Sequence, residues 1–208
     1  ACAPYRRLHL CNKNMEKMET TKITDSSKAK NDLLAEVCMA AKYEGQSIAR
    51  DYPKYQTAYG NFPFELCTVL ARSFADIGDI IRGKDLYRRD NKKDKTDKLQ
   101  EQLKKYFQKI YEGLTTTNGA QTYYNDNDKD GNYFKLREDW WTANRETVWK
   151  AMTCSEDLKN SSYFRQTCSD ERGGAQANDK CRCPNGNNQV PTYFDYVPQY
   201  LRWFEEWA

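Results

Sequence analysis

Apolar residues recur every three or four positions in five segments of the chain, and this spacing is typical of amphipathic α-helices. The clearest stripe runs from Leu66 to Ile81 and is followed by Gly83, a residue type that often ends helices. The last stripe begins at Pro198, which suits a first helical turn, and it contains Leu201, Phe204 and Trp207. The pattern predicts helices over about 31–50, 65–82, 96–112 and 137–154, and a fifth from residue 198 onwards.

Two polar stretches interrupt these helices. Residues 115–132 are rich in Thr, Asn, Asp and Gly, and residues 169–189 contain Gly173-Gly174 and Pro184-Asn185-Gly186. Such compositions predict exposed loops. Alternating strand patterns are absent apart from short, ambiguous stretches such as Gln189–Tyr196. The sequence therefore predicts an all-α domain with long irregular loops.

The composition is that of a folded domain. Only 38% of the 208 residues are hydrophobic, but 13% are aromatic, and disordered chains are poor in aromatic residues. No run approaches 18 apolar residues, so no membrane-spanning segment is predicted. The net charge of +3 is too small to indicate nucleic-acid binding. Because the chain opens with Ala1-Cys2 and shows no leader, we expect a piece of a larger protein.

The cysteines indicate a disulfide framework formed in an oxidising compartment. A zinc site is not expected, because Cys-X-X-Cys pairs are absent and His9 is the only histidine. Cys181 and Cys183 are separated by one residue, so they should bond to two different partners rather than to each other. The eight cysteines are Cys2, Cys11, Cys38, Cys67, Cys154, Cys168, Cys181 and Cys183.

Motifs for catalysis or metal binding are weak. Asp126–Gly131 matches the first half of an EF-hand loop, but Arg137 stands at the twelfth position, where calcium needs a bidentate Glu. We therefore expect a solvated acidic loop there. His9 lies between two leucines and has no local signature of a catalytic base, and neither a phosphate loop nor a nucleophile motif is present. The sequence predicts a protein that is not an enzyme and uses no cofactor or metal.

Positive charge is concentrated between Arg82 and Lys109, a stretch that contains eleven Lys and Arg residues but only five Asp and Glu residues. A local balance of +6 leaves the rest of the chain at −3, so this basic strip is a candidate surface for a sulfated glycan or another polyanion. The alternative is a solvated helix face with i,i+4 ion pairs such as Glu101–Lys105. The candidate residues are Arg88, Arg89, Lys92, Lys93, Lys95, Lys98, Lys104, Lys105 and Lys109.

Long ordered motifs along the whole chain resemble one family. They begin with Cys2–Cys11 and Leu33–Cys38 and continue with Ala71–Gly83. Further matches are Arg137–Trp149, with its Trp140-Trp141 pair, and Pro198–Trp207. Together these stretches resemble the alpha class of the Duffy-binding-like domain, found in the erythrocyte membrane protein 1 variant antigens of Plasmodium falciparum.

The resemblance implies an extracellular adhesion domain on the infected red cell, with the membrane anchor outside these residues. It implies binding to a host receptor, rosetting and antigenic variation, with heparan sulfate-like glycan, blood-group sugar or complement receptor one as candidate partners, and recognition by host antibodies. It also implies a disulfide-linked fold in three subdomains, of which this chain would hold two and the start of the third. The approximate lobes are 1–62, 63–167 and 168–208. The alternative is an antigenic helical scaffold whose receptor contacts lie in neighbouring domains.

The shared motifs also suggest structural roles. Gly78 inside a helix is expected to mark the close approach of another helix, with Trp140, Trp141 and Trp149 as the bulky partners. By resemblance, Cys67 and Cys154 are expected to bridge the second and fourth helices. Cys168 is expected to pair with Cys181 or Cys183, and the remaining one of these two to need a cysteine beyond residue 208. A partly buried polar network between the same two helices is predicted from Arg72, Asp76, Asp79 and Arg145.

Overall fold

A computed structural model describes residues 2–18, 26–59, 65–87, 96–114, 119–125, 131–170, 173–184 and 189–207. The α-helices within these ranges are α1 (Tyr5–Leu8), α2 (Lys13–Glu16), α3 (Ala29–Tyr59), α4 (Glu65–Arg82), α5 (Thr96–Glu112), α6 (Ala120–Tyr123), α7 (Phe134–Met152) and α8 (Gln199–Trp207). Two 3₁₀ turns cover Glu156–Leu158 and Phe194–Tyr196. Strands β1 (Cys168–Asp170) and β2 (Gly173–Ala175) form one short antiparallel hairpin. The fold is mostly helical, as the sequence predicts.

The core lies where α3, α4 and α7 pack against one another, with α5 against α3 and α7. Aromatic rings fill its centre: Phe74 meets Trp149 edge-on at 5.2 Å between centroids, and Phe107 meets Trp140 at 6.1 Å. Trp141 and Trp149 are among the largest fully buried side chains. Buried residues from all three predicted lobes belong to this one core, and the division into lobes stays a prediction.

Helix α3 runs well beyond the residue 50 at which the apolar pattern fades. It continues to Tyr59 and contains Pro53, which has no N–H to donate to the helix. Pro53 is exposed to solvent. The apolar spacing does not continue past residue 50, so the sequence pattern gives no signal for this extension.

Arg137 and Gly83 together end α4. Gly83 has a φ of 74°, and its left-handed conformation lets the next N–H, of Lys84, donate to the carbonyl of Asp79. The buried guanidinium of Arg137 donates to the carbonyls of Ile80 and Ile81. Burial lowers the pKa of Arg137 to about 10. Arg137, which stands at the twelfth position of the EF-hand-like loop, therefore caps the C-terminal end of α4.

α6 lies inside a stretch that the composition predicts as a loop, and the hairpin overlaps the other such stretch except at Cys168. Cys168 pairs with Ala175 and Asp170 with Gly173 in the hairpin register. α6 is a single helical turn, begun by Gly119 in a left-handed conformation. Both elements are too short to leave a periodic signal in the sequence.

The predicted apolar face of the last helix is wrong. Leu201, Phe204 and Trp207 are exposed, and α8 instead buries Gln199, Arg202 and Trp203. The helix is oriented by polar partners on α4, which attract Arg202 and Gln199. A rule that places apolar residues inward cannot foresee this arrangement.

Candidate receptor-binding surfaces

The described part of the basic strip lies along the solvent side of α5. Lys98 and Lys105 are exposed and Lys104 is half-buried, whereas Leu103 and Phe107 on the opposite face are buried in the core. The predicted strip residues Arg88, Arg89, Lys92, Lys93 and Lys95 lie outside the described residues. α5 therefore carries four of the candidate lysines, with Lys98 and Lys105 exposed and Lys104 and Lys109 half-buried.

Ion pairs neutralise little of this face. Lys109 pairs with Glu112 at 3.3 Å, one turn further along. Glu101 and Lys105 have the i,i+4 spacing of a pair, yet they are not joined by an ion pair. Among the described residues, no carboxylate forms an ion pair with Lys98, Lys104 or Lys105. These three lysines are therefore not neutralised by any carboxylate within the described ranges.

A buried charge cluster on α4 holds the chain's first and last helices in place. Arg202 of α8 donates to Asp76 at 2.8 Å and also to Asp79, and Arg6 of α1 pairs with Asp76 at 2.8 Å. Arg82 completes the cluster by pairing with Asp79 at 2.8 Å. Asp76 and Asp79, one turn apart on α4, thus bind arginine side chains from α1, α4 and α8.

The two aspartates differ in their proton affinity. Burial opposes ionisation of Asp76, but the guanidinium groups of Arg6 and Arg202 more than offset it, and the pKa of Asp76 is lowered. Burial dominates at Asp79 and raises its pKa to about 6, despite Arg202 and Arg82. This pair is part of the scaffold, since its oxygens are occupied by arginines that join helices.

Trp141 and Arg145 anchor α7 to the 3₁₀ turn at Phe194–Tyr196. The carboxylate of Asp195 accepts from the Trp141 indole at 2.9 Å and from Arg145 at 2.7 Å. The same indole ring lies on Gly78, where an added Cβ would stand 2.7 Å from Trp141 Cζ2. The close helix approach expected at Gly78 is therefore present, with Trp141 as the partner.

The network expected directly between α4 and α7 is wrong in its connections. Arg145 pairs with Asp195, and Asp76 and Asp79 pair with Arg6, Arg82 and Arg202. Arg72 does not join it: its Nε has no hydrogen-bond partner among the described residues. The sequence could not reveal this, because Asp195 and Arg202 stand more than a hundred residues from α4 along the chain.

The disulfides are Cys67–Cys181 and Cys168–Cys183, with Cα–Cα distances of 5.6 and 5.5 Å. The expected Cys67–Cys154 bridge is therefore wrong: Cys154 lies past the end of α7, exposed and reduced. Cys67 is buried, and Cys181 is held beside it by a hydrogen bond from the Trp149 indole to its carbonyl. The expectation that Cys181 and Cys183 have different partners is confirmed, and neither needs a cysteine beyond residue 208. The other free thiols are Cys2, Cys11 and Cys38.

The EF-hand-like segment is described only in its second half. Residues 126–130 lie outside the described ranges, whereas Arg137, at the twelfth loop position, is buried against α4. Glu138 next to it is paired with Lys84. Nowhere in the described part of the chain do three His, Cys, Asp or Glu side chains gather into a set that could hold a metal ion.

Comparison with known proteins identifies this assembly. The family model for the Duffy binding domain matches residues 1–202, almost the whole chain. The chain belongs to the Duffy binding domain family. Members of this family in PfEMP1 are adhesion modules. Within the described ranges, none of this domain's helices combines the length and apolar character that a membrane span requires.

Solved structures of PfEMP1 domains from Plasmodium falciparum resemble this Duffy binding domain throughout. The NTS-DBL1(alpha-1) domain of the varO strain is 45% identical with a TM-score of 0.79, and the match covers 100% of this chain and 43% of that one. The varO double domain, NTS-DBL1-alpha with CIDR-gamma, is 44% identical with a TM-score of 0.78, covering 100% and 27%. The IT4var13 DBLbeta domain bound to ICAM-1 is 36% identical with a TM-score of 0.74, covering 100% and 44%.

The Duffy binding domain described here spans less than half the length of each of these structures. Among curated protein sequences, no relative matches it. The identity of 45% to a DBL1-alpha domain agrees with the alpha-class motifs in the sequence.

Proposed function

We propose that this Duffy binding domain is an extracellular adhesion domain that binds a host cell-surface receptor on behalf of an infected red cell. The observation that carries the proposal is its 45% identity, over 100% of its length, to a DBL1-alpha domain of PfEMP1. The relative whose structure contains ICAM-1 supports receptor binding as the general activity of such domains. Rosetting and antigenic variation are the roles that this activity would serve.

Within this function, we infer that the basic strip contacts a sulfated glycan such as heparan sulfate. Lys98, Lys104 and Lys105 support the inference, because they lie on the solvent side of α5 and lack ion pairs with the described residues. A polyanion would bind them mainly by long-range attraction, which salt screens. Arg88, Arg89, Lys92, Lys93 and Lys95 precede them in the chain and would extend the same surface.

The test is binding of the oxidised domain to erythrocytes across a salt series, with heparin as competitor. Reversing the charge of Lys98, Lys104 and Lys105 to Glu should abolish the heparin-sensitive fraction of binding. The matched control reverses three exposed lysines outside the strip, Lys30, Lys42 and Lys159, which changes the net charge equally. If both triple variants lose the same amount of binding, the effect is general charge and the strip is not the contact surface.

A second candidate function is an antigenic scaffold whose receptor contacts lie in neighbouring domains. The half-length coverage of the similar structures favours it, because their remaining residues have no counterpart here. A folded domain that reacts with antibody against the native protein and binds no erythrocytes at any salt concentration would establish this alternative.

A further inference from the structure

A cavity of about 390 Å³ lies between α1, α3, α4 and the end of α8. Its lining combines aromatic rings with carboxylates, a composition suited to cations, which are attracted both to ring faces and to negative charge. Tyr5 and Trp207 stand at the rim, with 65% and 61% of their surface exposed, so an incoming group can reach them. The rings are those of Tyr5, His9, Tyr52 and Trp207, the carboxylates are Glu44, Asp51 and Glu206, and Arg6 also lines the cavity.

Glu44 is the unusual member of this lining. It is 4% exposed, and its carboxylate accepts from neutral donors, among them the Ser73 hydroxyl at 2.7 Å and the backbone N–H of Cys11 at 2.9 Å. The described residues provide it with no ion pair. A buried carboxylate normally has a cationic partner, because burial of an uncompensated charge is costly.

The other charges of the lining are already compensated. Glu206 pairs with Arg6 at 2.9 Å, and Arg6 also pairs with Asp76 and donates to the Ser73 hydroxyl at 3.1 Å. Asp51 pairs with Arg50 and Lys54 at the surface. Arg6 therefore reaches Glu44 only through the Ser73 hydroxyl, and Glu44 has no cationic partner of its own among the described residues.

We propose that this cavity receives a basic side chain, arginine or lysine, from a protein partner, which becomes the counter-ion of Glu44. The aliphatic part of such a side chain would lie between the rings of Tyr5 and Trp207, and its N–H groups would donate to Glu44. Trp207 is held in position, because its indole N–H donates to the carbonyl of Cys2 at 3.0 Å. A quaternary ammonium group has no N–H to give to the carboxylate, so the lining favours a side chain over a choline head group.

This site is separate from the basic strip. It shares no residue with the strip and selects a ligand of opposite charge. A host receptor protein that presents an exposed arginine or lysine would therefore be recognised here even if glycan binding by the strip proves wrong.

The experiment is an NMR titration of the 208-residue domain with Nα-acetyl-arginine amide, following the indole N–H signal of Trp207. That signal is assigned by its loss in Trp207→Phe. We expect a saturable shift with the arginine compound and at least about tenfold weaker binding of its neutral isostere, Nα-acetyl-citrulline amide. Glu44→Gln should weaken arginine binding by a similar factor, and the control Glu205→Gln, an exposed carboxylate of α8 outside the cavity, should not change it.

Several results would overturn the proposal. Absence of a saturable shift with the arginine compound, equal binding of the citrulline compound, or unchanged affinity of Glu44→Gln would each do so. Choline binding as tightly as the arginine compound would contradict the requirement for an N–H donor. If the remaining indole signals show that Glu44→Gln is misfolded, Tyr5→Ala replaces it, because Tyr5 is mostly exposed and its loss should still weaken binding at least about threefold.

Discussion

At Gly78 the missing side chain lets the indole of Trp141 lie directly against the backbone of α4. The ring has no freedom to retreat, since it is fully buried and its N–H is bonded to Asp195. Because Gly78 has only a hydrogen atom as its side chain, α4 can pack against Trp141 of α7, which in turn binds Asp195 of the C-terminal segment.

We predict that Gly78→Ala lowers the free energy of unfolding by about 1–3 kcal/mol, because overpacking outweighs the better helix propensity of Ala. Chemical denaturation followed by circular dichroism measures this. Shortening the opposing ring in Gly78→Ala/Trp141→Phe should cost less than the sum of the two single changes. Strict additivity in this double-mutant cycle would show that the two residues do not press on each other.

We predict that Asp79 makes the domain more stable as the solution becomes mildly acidic. Its folded pKa of about 6 lies above the ordinary value of 3.8, so the folded state binds a proton that the unfolded state releases. Stability contributed by this proton should grow as pH falls from about 7 to about 4. Asp76, whose pKa is lowered, should begin to destabilise the fold only below that range.

Denaturation of wild type and Asp79→Asn at a series of pH values tests this assignment. The wild type should gain stability relative to the variant between pH 7 and pH 4. A stability difference that stays constant across this range would contradict the raised pKa of Asp79.

The positions of the helices along the chain are predictable from the sequence, but the contacts that join one helix to another are not. α4 and α5 bury the apolar stripes that their sequences show, because local periodicity reflects one continuous buried face. In contrast, α8 is positioned by Arg202, which reaches two aspartates over a sequence separation of more than 120 residues. Such pairing leaves no local pattern. The same reason explains the disulfide error, since any of several cysteines could face Cys67 until the fold is known.

The Cys67–Cys181 bridge joins α4 to the segment after the hairpin and closes a loop of 114 residues. We predict that Cys67→Ser/Cys181→Ser costs about 2–5 kcal/mol of stability. The control is Cys154→Ser, which removes an exposed free thiol and should leave stability unchanged within about 0.5 kcal/mol. A larger loss in Cys154→Ser than in the double variant would contradict the observed pairing.

For the whole molecule, the small net charge conceals an uneven distribution of charge. The net charge of +3 is the sum of +6 in the basic strip and −3 in the rest of the chain. A polyanion is therefore attracted only when the domain presents the basic strip to it.

We therefore predict that retention on a heparin column falls steeply as salt increases. The triple change of Lys98, Lys104 and Lys105 to Gln should reduce the slope of log affinity against log salt by roughly two to three. The equivalent change of Lys30, Lys42 and Lys159 should leave the slope unaltered. Equal slopes for all three proteins would place glycan contact elsewhere.

The crosslink of α4 to the C-terminal segment also determines how the domain responds to mechanical tension. A force applied between residues 2 and 207 passes through the Cys67–Cys181 bond and bypasses α5, α7 and the hairpin. Even with every helix unravelled, only the segments outside the bridge can lengthen, to roughly 300 Å instead of roughly 700 Å for the unbridged chain. Under such tension α5 and its lysines would stay within a loop that the load bypasses, while the segments on either side of the bridge lengthen.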